Sequence, residues 1–146
     1  MTVSEQVEAL VGLLRERSGR VTTARRAIVA ALVGAGGHVT AEELTTVVRA
    51  AHPDVAPSTV YRCLEALEEI GAVEHVHLGH GPAVYHLAGH APHQHLVCES
   101  CHVVVEVPGI LFTALARRVR AEFGFTLQPG HFAVGGLCRT CAPPPA

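Results

Sequence analysis

Two Cys-x-x-Cys pairs, Cys98/Cys101 and Cys138/Cys141, constrain this chain more than any other feature. Each pair points two thiolates at one spot, and two such knuckles folded together make a closed, tetrahedral four-cysteine site for structural zinc. The spacing therefore predicts that the end of the chain is tied back to a distant segment by metal. In a reducing compartment, paired cysteines hold metal rather than form disulfides. Cys63 lies elsewhere, on a predicted helix beside an apolar stripe, and reads as a small core residue.

Histidine is the second constraint: the 146 residues contain 11, several of them in spaced clusters. His75 and His77 are two apart on a predicted strand, which puts both imidazoles on one face in a chelating arrangement. A third ligand must come from elsewhere, and His131 is the candidate. His93 and His95 repeat the spacing just before the first knuckle, where His86, His90, Glu106 and the distant His38 are candidates to complete a site. His52, His80 and His102 read as exposed polar residues. Neutral nitrogen ligands in this number suit nickel, zinc or iron better than an oxygen-preferring cation.

Around these ligands the periodicity predicts an α+β chain. Capping boxes at Thr2–Glu5 and Thr40–Glu43 open two helices, Thr22 or Thr23 caps another, and Pro57-Ser58 starts a fourth that ends at Gly71. Val60, Leu64, Leu67 and Ile70 form the apolar stripe of that fourth helix and leave Thr59, Tyr61, Arg62 and Glu65 toward solvent. Strands over 73–78 and 83–87 make a hairpin. Helices followed by a hairpin is the order of a winged helix-turn-helix, in which the fourth helix is offered to the DNA major groove. The expected organisation is a winged-helix domain over 1–87, a hinge over 88–95, a small mixed α/β domain over 96–141 and a disordered tail over 142–146. In the small domain, strands are expected at 96–98 and 103–107, then a helix carrying Leu111, Leu115, Val119 and Phe123, and a return strand near 132–134.

Aromatic residues make up 4% of the chain and Trp is absent, so each core must be built thinly from Val, Leu and Ala. Small cores of that kind recruit structural zinc or dimerisation. The net charge of −2 gives no global signature of nucleic-acid binding. Arg15, Arg17, Arg20, Arg25 and Arg26 do cluster, with Glu16 the one nearby offset in sequence; this is either a solvated helix surface or a local phosphate patch. No apolar run matches a membrane span and no signal-peptide pattern opens the chain, so a cytoplasmic protein with no membrane partner is expected. A metalloenzyme with an open His site would need a general base, and Glu106 is the only obvious one beside the clusters. A metal-storage protein would bind metal without DNA.

The run Ser58-Thr59-Val60-Tyr61-Arg62, the segment His93-Gln94-His95-Leu96-Val97-Cys98 with Cys101, and the closing Cys138/Cys141 resemble the ferric-uptake-regulator (Fur) family of transcriptional regulators. The resemblance runs from about Arg15 to Cys141. Within the family, the stretch from Glu74 to Pro82, Tyr85-His86-Leu87 and His131-Phe132-Ala133 are similar to the nickel-responsive (Nur) branch. That resemblance implies a nickel site on His75, His77 and His131. It also implies a second regulatory site on His38, His93 and His95, to which His86, His90 or Glu106 contribute. It further implies a homodimer joined through the second domains that binds a pseudo-palindromic double-stranded DNA operator. Ser58, Thr59, Tyr61 and Arg62 would then face DNA and Arg20 and Arg25 its phosphates. The metal-loaded protein would act as a repressor; zinc, iron or peroxide are the alternative signals within the family. The family's third metal site does not carry over, because Pro92, Gln94 and Thr113 occupy its coordinating positions.

Overall fold

A computed structural model describes residues 1–89, 93–127 and 133–144. The chain is α+β, as expected, and divides into two compact units. One comprises Met1–His75 with Ala83–Gly89, the other Val76–Pro82 with His90–Ala146. The boundary thus falls within the hairpin as well as after it.

The first unit opens with α1 (Val3–Ser18) and α2 (Thr23–Ala35), followed by β1 (Val39–Thr40), α3 (Ala41–Ala51) and α4 (Pro57–Glu69). The hairpin strands are β2 (Val73–His77) and β3 (Ala83–Leu87). Side-chain caps start three of these helices: Thr2, Thr22 and Thr40 each accept a backbone N–H three residues on, and Glu5 and Glu43 close two capping boxes. Pro57 instead takes the first helical position of α4, where its missing N–H costs nothing. The helices converge on one core that includes Val11, Leu14, Ile28, Leu32, Leu44, Val60, Leu64 and Leu67. Each fully buried aliphatic side chain there contributes about 1.5–3 kcal/mol. Cys63 belongs to this core, and burial pushes its thiol up to about 11.

The sheet order is β1-β3-β2, with Val39 opposite Tyr85 and Thr40 opposite Val84. Thr40 both ends β1 and caps α3, so a two-residue strand anchors the helix to the sheet. Two arginines of the Arg15–Arg26 cluster find acidic partners distant in sequence: Arg17 pairs with Glu69 of α4, and Arg26 with Glu8 of α1.

The second unit contains β4 (His93–Cys98), β5 (Val104–Pro108), a 3-10 turn over Gly109–Phe112 leading into α5 (Thr113–Phe123), and β6 (Ala133–Gly136). The order is β5-β4-β6, so β4 is central: antiparallel to β5, with Leu96 opposite Val105, and parallel to β6, with Leu96 opposite Val134. This changes the expected hinge, because residues 93–95 already belong to the central strand. Within the proposed return strand, Phe132 lies outside the described residues. On this strand Gln94, His95, Val97 and Cys98 are buried, whereas Leu96 is exposed. The outer elements are another matter. Val103, Val104, Val105, Ile110, Leu111, Leu115 and Phe123 are all exposed, and α5 has no buried residue. No described helix is long and apolar enough to cross a membrane.

Candidate metal centres

The four knuckle cysteines converge. Cys98 ends the central strand, Cys101 closes the turn after it, and Cys138 and Cys141 follow β6, which lies directly beside β4. Their sulfurs all lie within 4.8 Å of one another, and Cys101 Sγ is 3.7 Å from Cys138 Sγ. A tetrahedral zinc with Zn–S bonds of ~2.3 Å separates its sulfurs by ~3.8 Å, so the donor set fits that metal. The first knuckle is shaped by His102, whose φ of 61° turns the chain, while its N–H returns to the Cys98 carbonyl at 2.9 Å. Cys98 Sγ accepts backbone N–H groups from Cys101 at 3.5 Å and Cys138 at 3.4 Å.

These amides, Cys101 first and then Cys138, hold the Cys98 thiol down at about 6. Cys138 is also lowered, chiefly by the Cys141 backbone. Cys141 goes the other way, to about 11: the Ser100 side chain draws it down, but the crowded Cys138 and Cys101 sulfurs outweigh that. Four sulfurs so close cannot all ionise without a cation among them.

A second donor set lies on β4 and β5. His93 and His95 alternate onto one face of β4, and Glu106 sits directly opposite His95 on β5. Their ligand atoms lie within 4.8 Å of one another, and the two imidazole rings meet nearly edge to face at 5.0 Å. His95 is buried and Glu106 exposed, so the set spans the strand pair from core to solvent. Two neutral nitrogens and a carboxylate form a borderline-hard donor set that suits first-row divalent metals.

The remaining candidates fall in the first unit or along β2. His38 precedes β1, with its ring 4.9 Å from that of His86 on β3. His86 is buried; its Nδ1 is 3.2 Å from the Leu87 carbonyl and its Nε2 is 3.9 Å from the Glu74 carboxylate. His75 and His77 are both exposed on β2, as the alternation predicted. His75 Nδ1 pairs with Glu68 of α4, a partner that sequence spacing did not reveal, and its ring lies 5.7 Å from that of Tyr85. Among the described residues, His75 and His77 do not join a cluster of three ligands. His90 and His131 lie outside the described residues.

On α4, Ser58, Tyr61 and Arg62 are exposed and Thr59 is half-buried, while Val60, Cys63 and Leu64 face the core. Tyr61 is a large side chain held half in solvent, and Arg62 Nε reaches back to the Ser58 carbonyl at 3.4 Å. Arg20 is exposed. Arg25 is steadied by the Ser18 hydroxyl at 3.0 Å.

Comparison with known proteins gives a consistent result. Residues 16–132 match the family described as the ferric uptake regulator family. The ferric uptake regulation protein of Bacillus subtilis is 28% identical over 144 residues, covering 95% of this chain and 96% of that one. The peroxide-responsive repressor PerR of Staphylococcus saprophyticus is 25% identical over 140 residues, covering 96% of this chain and 94% of its own length. Among solved structures, the Helicobacter pylori ferric uptake regulator Fur, which has three functional metal-binding sites, aligns with a TM-score of 0.77. It covers 97% of this chain and 94% of its own, and at 22% identity the likeness is one of fold.

Proposed function

Because this chain belongs to the ferric uptake regulator family, whose members are transcription regulators and not enzymes, we propose that it is a metal-dependent DNA-binding repressor with nickel as its regulatory metal. The observation that carries the regulatory reading is the convergence of His93, His95 and Glu106 on two paired strands. A permanently bound structural zinc at the cysteines leaves that second donor set to respond to supply. Family membership removes the metalloenzyme alternative.

In this reading residues 1–87 form the winged-helix domain, 88–92 the hinge and 93–141 the dimerisation and metal-binding domain. His38 joins His93, His95 and Glu106, with His86 and His90 as further candidates. His75, His77 and His131 hold nickel, the assignment that rests on resemblance to the nickel-responsive branch. A bound divalent cation supplies the charge that makes these donors converge. The chain's own contribution is their placement: His38 and His75 come from the unit that carries α4, and His77, His93, His95 and Glu106 from the unit that carries the cysteines. Drawing such ligands together favours one disposition of the two parts, and DNA binds that disposition better.

The exposed Val103, Val105, Leu111 and Leu115 support a homodimer joined through the second units. A two-fold dimer matches a pseudo-palindromic operator in the cytoplasm. Ser58, Thr59, Tyr61 and Arg62 face base edges and backbone, while Arg20 and Arg25 reach phosphates.

The test is fluorescence anisotropy of zinc-loaded protein on the DNA upstream of its own gene, with buffered Ni²⁺, Zn²⁺ and Fe²⁺ titrated separately at fixed salt. Tight binding with Ni²⁺ alone is the expected result. An equal response to Zn²⁺ or Fe²⁺ keeps the repressor and discards nickel, while no binding with any metal overturns the reading.

A further inference from the structure

Gln94 lies in the central strand of the second unit, opposite Val107, and is 1% exposed. Among the described residues, neither its Nε2 nor its Oε1 has a hydrogen-bond partner. A buried amide left unsatisfied is destabilising, so an apolar side chain would serve packing better here. The side chain lines a cavity of about 300 Å³ between the sheet and α5. Phe112, Thr113, Arg117, Arg120 and Leu127 also line it.

Thr113, Arg117 and Arg120 follow one face of α5 at intervals of four and three residues. No described residue lining the cavity is acidic, and the first turn of α5 carries no carboxylate. The acid that follows on the helix, Glu122, is engaged by Arg118 at 3.1 Å, leaving the cavity's charge positive. Two guanidinium groups, an amide and a hydroxyl are a poor donor set for a cation and a good one for an anion.

We propose that this cavity binds a small organic carboxylate. Arg117 and Arg120 take the carboxylate through their planar N–H forks. The Gln94 amide, able to donate and accept at once, pairs with a second polar group at the other end of the ligand. Phe112 and Leu127 cover the carbon skeleton between. The volume is at the small end of the range for ligand sites and suits a skeleton of roughly four to six carbons. The site is separate from both metal-ligand sets and does not depend on the repressor reading.

Isothermal titration calorimetry on the full-length, zinc-loaded protein tests it, with succinate and glutarate as probes and their diamides and inorganic sulfate as controls. Saturable binding with Kd below about 1 mM is expected for at least one diacid, with the controls weaker by about tenfold or more. Arg117→Gln and Arg120→Gln, both at exposed positions, each weaken binding by about tenfold. Gln94→Leu removes binding while raising the Tm of the ligand-free protein, a combination that a purely structural glutamine would not give. Should Gln94→Leu fail to fold, the arginine variants carry the test. Absence of saturable heat from both diacids, equal binding of sulfate or the diamides, or undiminished binding in the arginine variants overturns the proposal. None of these readouts involves DNA or a regulatory metal, so its failure leaves the repressor reading standing.

Discussion

At Cys98 two backbone amides stabilise a thiolate before any cation arrives, while Cys141 stays protonated until one does. The cluster is therefore poised to release protons as it closes on metal. Cys138→Ser should lower bound zinc from about one per chain to near none and lower the Tm, because the tie between the β4 turn and the end of the chain is lost. Elemental analysis with thermal denaturation checks this; full zinc and an unchanged Tm would remove the structural role. His77 makes the opposite prediction. It is exposed on β2, so His77→Ala should leave circular dichroism unchanged and abolish nickel-dependent operator binding; retained nickel dependence would take the β2 site out of the mechanism. The cysteines were legible in the sequence because their spacing is local and matched. Glu106 was only one candidate among several, since its partnership with His95 depends on strand register, which no local pattern encodes. Neither the Glu68–His75 contact nor the unpartnered Gln94 amide had a sequence signal at all, because both depend on where separate elements pack.

Among elements, the helices announced themselves through caps and apolar stripes, and the structure keeps them within a residue or two of the expected ends. Thr40→Ala should cost about 1 kcal/mol by removing the hydroxyl's half of the α3 capping box, while the backbone N–H at position 40 still reaches Glu43. The Glu43 carboxyl is held below its ordinary value of 4.5, first by the Thr40 backbone N–H and then by its hydroxyl. Its folded pKa is depressed, so this contribution is present above about 4.5 and is lost as pH falls through the lower folded value. Urea denaturation should therefore show the gap between wild type and Thr40→Ala narrowing from pH 7 toward about pH 3. A gap independent of pH would mean that the Thr40 hydroxyl does not stabilise the Glu43 carboxylate. On α4, Leu64→Ala should cost about 2–5 kcal/mol, since the side chain is fully buried among three other helices and leaves a cavity. A loss below about 1 kcal/mol would contradict the packing of α4 against that core. The strands were harder to read. β1 is two residues long and has no period to detect, and His93-Gln94-His95 is polar enough to pass for a linker although it is the centre of a sheet. Gln94 and His95 are buried on opposite faces of this strand, which is the central one of its sheet.

For the whole molecule, the contrast between the two units matters most. The first has a continuous apolar core, whereas the second leaves much of its apolar surface in solvent and concentrates its chemistry in cysteines, histidines and one glutamate. That division fits a reader of DNA joined to a dimerising metal sensor, with regulation residing in the coupling between them. Coupling between metal and DNA is reciprocal: if nickel tightens operator binding by some factor, the operator must tighten nickel binding by the same factor. The decisive measurement is a nickel titration of the zinc-loaded protein with and without saturating operator duplex. Nickel should bind more tightly in the presence of the duplex, by about 5- to 150-fold and matching the factor by which nickel improves DNA affinity. Identical nickel affinities in the two titrations would contradict that coupling.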